Sequence, residues 1–303
     1  MHDDVHWLQD KLDDFLNSKP ALPPNVIQEA TQSFHDKLQR FNEPPREKAT
    51  LPSLSQVGKP FCILHAEKLN WKPLPKTPSF KVKMTYGDMT EVLAVAILKA
   101  AGVNIFAINQ RTVLHTEEGE LNGEFDIIIQ DEAGQLTLWD IKSASRYAFD
   151  SKFKSYEALK ETDSFGYVSQ LFGYTRAERA KYHDLEAGGW IVISKETGDI
   201  KICPANPADE NLYYDKIVDT IKRYKTADKD NFKRDFSDVE ETFYKKLTGN
   251  RKLAITCSYC DYKYTCWPDL QYRKRARSKS ANAFEYYTFF QEEPKDISSV
   301  SEG

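Results

Sequence analysis

Residues 122–142 constrain the chain more than any other stretch. Two apolar runs, Phe125–Gln130 and Leu136–Lys142, flank the short polar sequence Asp131-Glu-Ala-Gly-Gln135. The pattern predicts two strands joined by a three-residue hairpin loop, with Gly134 in the left-handed conformation that glycine adopts without steric cost. If Asp131 then pairs with Gln135, the numbers of facing residues sum to 266, and Asp126 stands opposite Asp140. Facing carboxylates repel and destabilise a ladder. A cation bound between them reverses the sign of that contribution. Lys142 follows Asp140 by two residues and projects from the same face of the strand. Two acids and a lysine on one sheet face point to a metal-dependent hydrolase of phosphodiesters.

The remaining chemistry must be compatible with the bulk properties. A chain of 303 residues is long enough for one large domain or a domain with an attached module. Its net charge of -4 gives no overall basic character, so phosphate contacts would have to come from a local basic face. The sequence has neither an apolar run of transmembrane length nor a secretory leader, and the expectation is a soluble, cytoplasmic protein with no membrane partner. The five cysteines are too few and too odd in number for a disulfide framework in that setting, so their clustering reads as metal ligation.

In chain order, helical periodicity marks residues 1–18 and 25–41, and residues 1–50 read as a helical arm without chemistry of its own. Residues 71–85, with Pro73, Pro75 and Pro78, read as loop. A helix is expected to start at an Asp88 N-cap and stop at Gly102. Glu91, three residues after Asp88, has two readings: a glutamate that caps the helix, or a third carboxylate delivered to the sheet. A strand over 103–114 pairs with the hairpin. Arg146 then opens a loop that could contact a ligand. Residues 151–180 are helical, and Gln170 and Tyr174, four apart, share a helix face. The tyrosine reads as core packing, the glutamine as a group able to reach a phosphate or a base. A second hairpin covers 189–203 with Gly198 in its turn, and two more helices are expected over 208–225 and 236–248. The fold class is therefore α/β, a central mixed sheet flanked by helices.

Near the C-terminus Cys257, Cys260 and Cys266 fall within ten residues, a spacing suited to zinc or an iron–sulfur cluster. Both commonly take four ligands. Cys62 and Cys203 are the other sulfur ligands in the chain, and histidine is open to a zinc site. The basic run Tyr272–Lys279 is either a solvated helix face or a nucleic-acid contact, and residues 291–303 are expected to be disordered.

Taken together, these motifs resemble the PD-(D/E)XK nuclease superfamily, and within it the RecB-like exonucleases that carry an iron–sulfur cluster. Gly87-x3-Glu91 resembles the first motif of that superfamily, Gly123-x2-Asp126 the second, Asp140-Ile-Lys142 the (D/E)-x-K motif, and Gln170-x3-Tyr174 the Q-x3-Y motif. Many RecB-like members carry a histidine where this chain has Glu91. The resemblance covers roughly residues 50–270 and implies a restriction-endonuclease-like core. It implies that Glu91, Asp126 and Asp140 hold Mg2+ or Mn2+, and that Lys142 acts on the attacking water and on developing charge. Gln170, Tyr174 and Arg146 would handle the DNA. Cys62, preceded by Ser53-Leu-Ser55, would join Cys257, Cys260 and Cys266 around a four-iron, four-sulfur cluster (4Fe–4S), with zinc as the alternative. Such a cluster would clip the added helical regions onto the core. The implied organisation is an N-terminal arm (1–50), a clipped nuclease core (51–270) and a basic, then disordered tail (271–303). The implied function is a metal-dependent DNA exonuclease of recombination, repair or end processing, with a recombination or helicase protein as partner class. The alternatives are an endonuclease of the same superfamily and a non-catalytic DNA-binding recombination scaffold.

Overall fold

The hairpin forms in the expected register. In the computed structural model, which describes residues 6–18, 21–39, 49–77, 79–243, 245–275, 284–291 and 297–298, strand β2 (Gly119–Gln130) pairs antiparallel with β3 (Leu136–Ala144). The pairs Gln130↔Leu136, Ile129↔Thr137, Ile128↔Leu138 and Ile127↔Trp139 all sum to 266. Asp131 N–H donates to Gln135 O at 3.0 Å, and Gly134 has φ +87°. The Asp131 carboxylate also accepts the N–H groups of Ala133 and Gln135, which fixes the turn.

Around this hairpin lies a five-stranded sheet in the order β1-β2-β3-β4-β5, where β1 is Asn104–Thr116, β4 Glu186–Ser194 and β5 Ile200–Pro204. The β3–β4 pair is parallel and the others are antiparallel, so the sheet is mixed. A strand in a parallel pair is buried on both faces and reads as an unbroken apolar run, as Trp190-Ile-Val-Ile193 does. Helices α1 (Trp7–Asn17) and α4 (Ser79–Ala100) bury Leu8, Leu12, Ala94 and Leu98 with Ile127, Ile129, Trp139 and Ile141 on one face. On the other face Ile128, Leu138, Trp190 and Val192 meet Val168, Leu171, Phe172 and Tyr174 of α7 (Tyr167–Glu178). Helix α2 (Pro24–Gln39) is laid along α4, and the β3–β4 crossover also contains α5 (Arg146–Ser151) and α6 (Tyr156–Thr162).

The chain divides into two compact units. The first comprises residues 1–59 and 76–223 and contains this sheet. The second is assembled from two separated pieces, 60–75 and 224–303. Its early piece carries α3 (Phe61–Lys68), and α8 (Glu210–Thr226) runs into its late piece. In the second unit β6 (Val239–Phe243), β7 (Lys246–Lys252), β8 (Gln271–Arg275), β9 (Phe284–Phe289) and β10 (Ile297–Ser298) form an antiparallel sheet in the order β10-β8-β9-β7-β6. Two short helices, α9 (Ile255–Ser258) and α10 (Lys263–Cys266), lie between β7 and β8. Buried Glu241 accepts hydrogen bonds from Tyr287, Thr248 and Asn250.

Three local expectations differ from the structure. Val239–Phe243 and Lys246–Lys252 form β6 and β7, not the helix expected over 236–248. Val239, Phe243 and Leu247 are spaced by four, which fits a helix face and also the period of two of a strand. The start of the basic run is strand β8, not a helix face; residues 276–279 of that run, and most of 291–303, lie outside the described residues. Helix α4 begins at Ser79, so Asp88 lies inside it and is not its N-cap, which removes the capping role for Glu91.

Candidate active site

The site sits where β2 and β3 fork. Their ladder ends at Ile127↔Trp139, one pair short of Asp126 and Asp140, while β2 stays paired with β1 and β3 with β4. Repulsion between facing carboxylates accounts for a ladder that stops there. In place of the next ladder bond, Asp126 Oδ2 accepts the Ile141 N–H at 2.6 Å. Alternation along the strands puts Asp126, Asp140 and Lys142 on the face of Ile128 and Leu138, under α7.

Two of the carboxylates have a lysine of their own. Lys142 Nζ spans Asp140, at 2.9 Å from Oδ1 and 2.7 Å from Oδ2. Glu91 Oε1 lies 2.7 Å from Lys37 Nζ on α2. Asp140 Oδ2 and Glu91 Oε1 are both buried and without a partner in hydrogen-bond geometry, so these two contacts are charge contacts. The three acids feel one another. Burial, then the charge of Asp140, with Glu91 adding to both, pushes Asp126 well above the ordinary carboxylate value against the pull of Lys142. Burial likewise raises Asp140 against Lys142, with Glu91 and Asp163 adding to the rise. Burial works to discharge Lys142, but Asp140 and Asp126 outweigh it and hold its pKa above the ordinary lysine value. Lys142 is thereby held as an ammonium against Asp140.

Helix α7 closes the site from above. Asp163 accepts the N–H groups of Gly166, Tyr167 and Val168, each at 2.9 Å, and so caps the helix start. The Lys142 ammonium stands 4.8 Å from the centre of the Tyr167 ring. Gln170 Nε2 donates to Tyr174 Oη at 3.2 Å, and burial, then the charge of Asp140, pushes the Tyr174 hydroxyl up to about 12. Gly123 has a packing reason: a Cβ there would lie 2.4 Å from Tyr174 Cε1 and 3.1 Å from Leu54 Cβ. Sequence reasoning missed Tyr167, Asp163 and Lys37. Tyr167 precedes Gln170 by three and Tyr174 by seven, so helical period alone was enough to find it. Arg146 is not drawn into the acidic group; it opens α5, exposed and paired with Asp150.

The buried, partnerless oxygens of Asp140 and Glu91 and an all-carboxylate donor set fit a hard divalent cation. Among the described residues no three His, Cys, Asp or Glu side chains are drawn together closely enough to hold a metal. The acids share a field without converging on a point. The same finding applies to the cysteines. Cys62, Cys257, Cys260 and Cys266 all belong to the second unit, yet they do not form the expected iron–sulfur or zinc ligand set. Burial pushes the Cys62 thiol up to about 12 and the Cys257 thiol up to about 11, with neighbouring cysteines adding to both. They are spread over α3, α9, α10 and the turn between. Cys203, buried in the first unit, is a structural thiol.

The model of the PD-(D/E)XK nuclease superfamily matches residues 31–267. The chain belongs to that superfamily. Membership brings metal-dependent nuclease chemistry with it, and the mixed sheet between helical layers is consistent with the restriction-endonuclease-like core. No curated protein matches this nuclease-superfamily chain. Among solved structures it is similar to the one described as "Crystal structure of SSO0001", at 12% identity over 65% of this chain and 85% of that one, with a TM-score of 0.37, too loose a likeness to carry an argument. No described helix of this PD-(D/E)XK protein is long and apolar enough to cross a membrane.

Proposed function

We propose that this protein is a deoxyribonuclease that hydrolyses phosphodiester bonds from DNA ends, with Mg2+ or Mn2+ held by Glu91, Asp126 and Asp140. The observation that supports it most is the fork at Ile127↔Trp139, where burial and the charge of Asp140 raise Asp126, and Lys142 sits as the counter-charge against buried Asp140. A bound divalent ion supplies the Lewis acidity that makes water a nucleophile at neutral pH. The chain's own residues do the rest. Asp140 and Asp126 provide hard oxygen donors, and the Ile141 N–H holds Asp126 in one rotamer. The Lys142 ammonium, fixed between Asp140 and the Tyr167 ring, offsets charge developing on the phosphate. Gln170, part-exposed and anchored by the buried Tyr174 hydroxyl, suits a contact to the strand beside the scissile bond. Their i, i+4 hydrogen bond supports the exonuclease reading over the endonuclease one, because it matches the Q-x3-Y arrangement of the RecB-like enzymes.

The test is end-labelled linear DNA and circular DNA, single-stranded and duplex, incubated with Mg2+ or Mn2+. Degradation confined to linear substrates is the expected result, with Asp140→Asn lowering the rate by about 10²–10³-fold. Cleavage of circles would establish an endonuclease, and full activity in Asp140→Asn would remove the site assignment. Iron and zinc content of the purified protein decides the cysteine question separately, and no step here depends on it.

A further inference from the structure

Helix α2 is bound to α4 by two ion pairs of opposite sense. Glu29 on α2 meets Lys99 on α4, and Lys37 on α2 meets Glu91 on α4. The numbers show that the helices run antiparallel. The first pair is open to solvent. The second is nearly sealed, with Lys37 7% and Glu91 15% exposed. A cleft of about 280 Å³ lies between them, lined in part by Glu29, Ser33, Glu91, Val95 and Lys99.

We infer that Lys37 occupies at Glu91 the place that a divalent cation takes, so that the cation binds by displacing the lysine and α2 sets the metal affinity of the site. This rests on the metal-dependent nuclease reading. Three observations carry it. The lysine touches Glu91 Oε1 at 2.7 Å, but that oxygen has no partner in hydrogen-bond geometry, so the ammonium acts there as a compact point charge, as an ion does. Glu91 is electrostatically part of the acidic group, since its charge acts on both Asp126 and Asp140. A second lysine is already committed to the aspartates: Lys142 is the strongest positive charge acting on each of them. The charges also balance. Three carboxylates and two ammonium groups sum to minus one, a divalent ion makes the site plus one, and one phosphodiester brings it to zero. The displaced ammonium, still tethered to α2, remains available to that phosphate.

The test is Mn2+ binding to the full-length protein without DNA, read from the electron paramagnetic resonance signal of free Mn2+. Lys37→Met keeps the aliphatic stem and removes the charge; it should bind Mn2+ about tenfold tighter, ~1.4 kcal/mol. Lys37→Arg should stay within about threefold of wild type, ~0.6 kcal/mol. Equal or weaker binding in Lys37→Met, with Asp140→Asn abolishing the site, would overturn the inference and leave the nuclease reading intact. Unchanged Mn2+ binding in Asp140→Asn would remove that reading and the inference with it. If Lys37→Met does not fold, the wild-type protein with 13C-methylated lysines supplies the readout, with the Lys37 resonance assigned by its loss in Lys37→Arg. Mg2+ should shift that resonance as the site fills, and an unmoved resonance at saturating Mg2+ would refute displacement.

Discussion

Gly123→Ala is the substitution whose outcome the structure fixes most closely. The added methyl would lie 2.4 Å from Tyr174 Cε1, about 1.1 Å inside the ~3.5 Å at which carbon atoms meet comfortably. Leu54 Cβ, at 3.1 Å, blocks movement the other way. Tyr174 cannot swing aside freely, because it is 2% exposed and its hydroxyl is held by Gln170. Overpacking of this kind costs about 1–3 kcal/mol. For a unit of this size that is a fall of about 2–12 °C in melting temperature. Tyr174→Leu removes the ring edge and costs stability of its own by leaving a cavity. In the double variant the alanine methyl has room, so the two losses should be sub-additive, with a coupling of at least ~1 kcal/mol. Tyr174→Phe retains Cε1 and should give no relief. The assay is a double-mutant cycle by urea unfolding. Additive losses, or a Gly123→Ala variant within ~0.5 kcal/mol of wild type, would show that the glycine is not there to admit the tyrosine.

Tyr167→Leu keeps an apolar group over Lys142 but removes the ring face, and should slow DNA cleavage by about 3- to 30-fold, ~0.5–2 kcal/mol, with melting temperature little changed; an unchanged rate would remove Tyr167 from the site. Asp126 and Asp140 have raised pKa values, so their contribution to stability is present below the ordinary carboxylate value of about 4 and is lost as pH rises through the folded values. In chelator, Asp126→Asn should therefore exceed wild type in melting temperature at pH 8 and lose that advantage toward pH 5, and a pH-independent difference would contradict the coupling. Asp238 has the opposite sign: its hydrogen bond from Arg251 lowers its pKa, so its contribution is present above about 4 and is lost in acid. Asp238→Asn should destabilise the second unit at pH 6, with the penalty shrinking below pH 4 in urea unfolding.

The sequence was most legible where one local rule fixed the geometry. The loop chemistry of Asp131–Gln135 set the hairpin register, and register set the faces of Asp126, Asp140 and Lys142. Helical period placed Gln170 and Tyr174 together. The fork was only half legible: repulsion between Asp126 and Asp140 was foreseen as an oddity of a continuous ladder, and the strands resolve it by ceasing to pair. Lys37 was not legible at all. Its partner lies 54 positions away, and nothing in the periodicity of α2 distinguishes a lysine that points into α4 from one in water. The second sheet escaped because residues spaced by four satisfy helix and strand alike, and its pairings join segments far apart in sequence.

The two-piece construction of the second unit has a consequence for synthesis. Helix α3 leaves the ribosome early, but the residues it folds with begin at Tyr224. At about 5–20 residues per second, the roughly 150 intervening residues take on the order of 8–30 s to make. During that interval Leu64 and His65, both buried in the finished protein, have no native cover, although Pro60–Pro75 leads directly into the chain of the first unit. A nascent chain stalled before Tyr224 should complete the first sheet and leave α3 sensitive to protease. The segment carrying Cys62 is therefore a standing point of vulnerability to misfolding and thiol oxidation until translation is nearly complete.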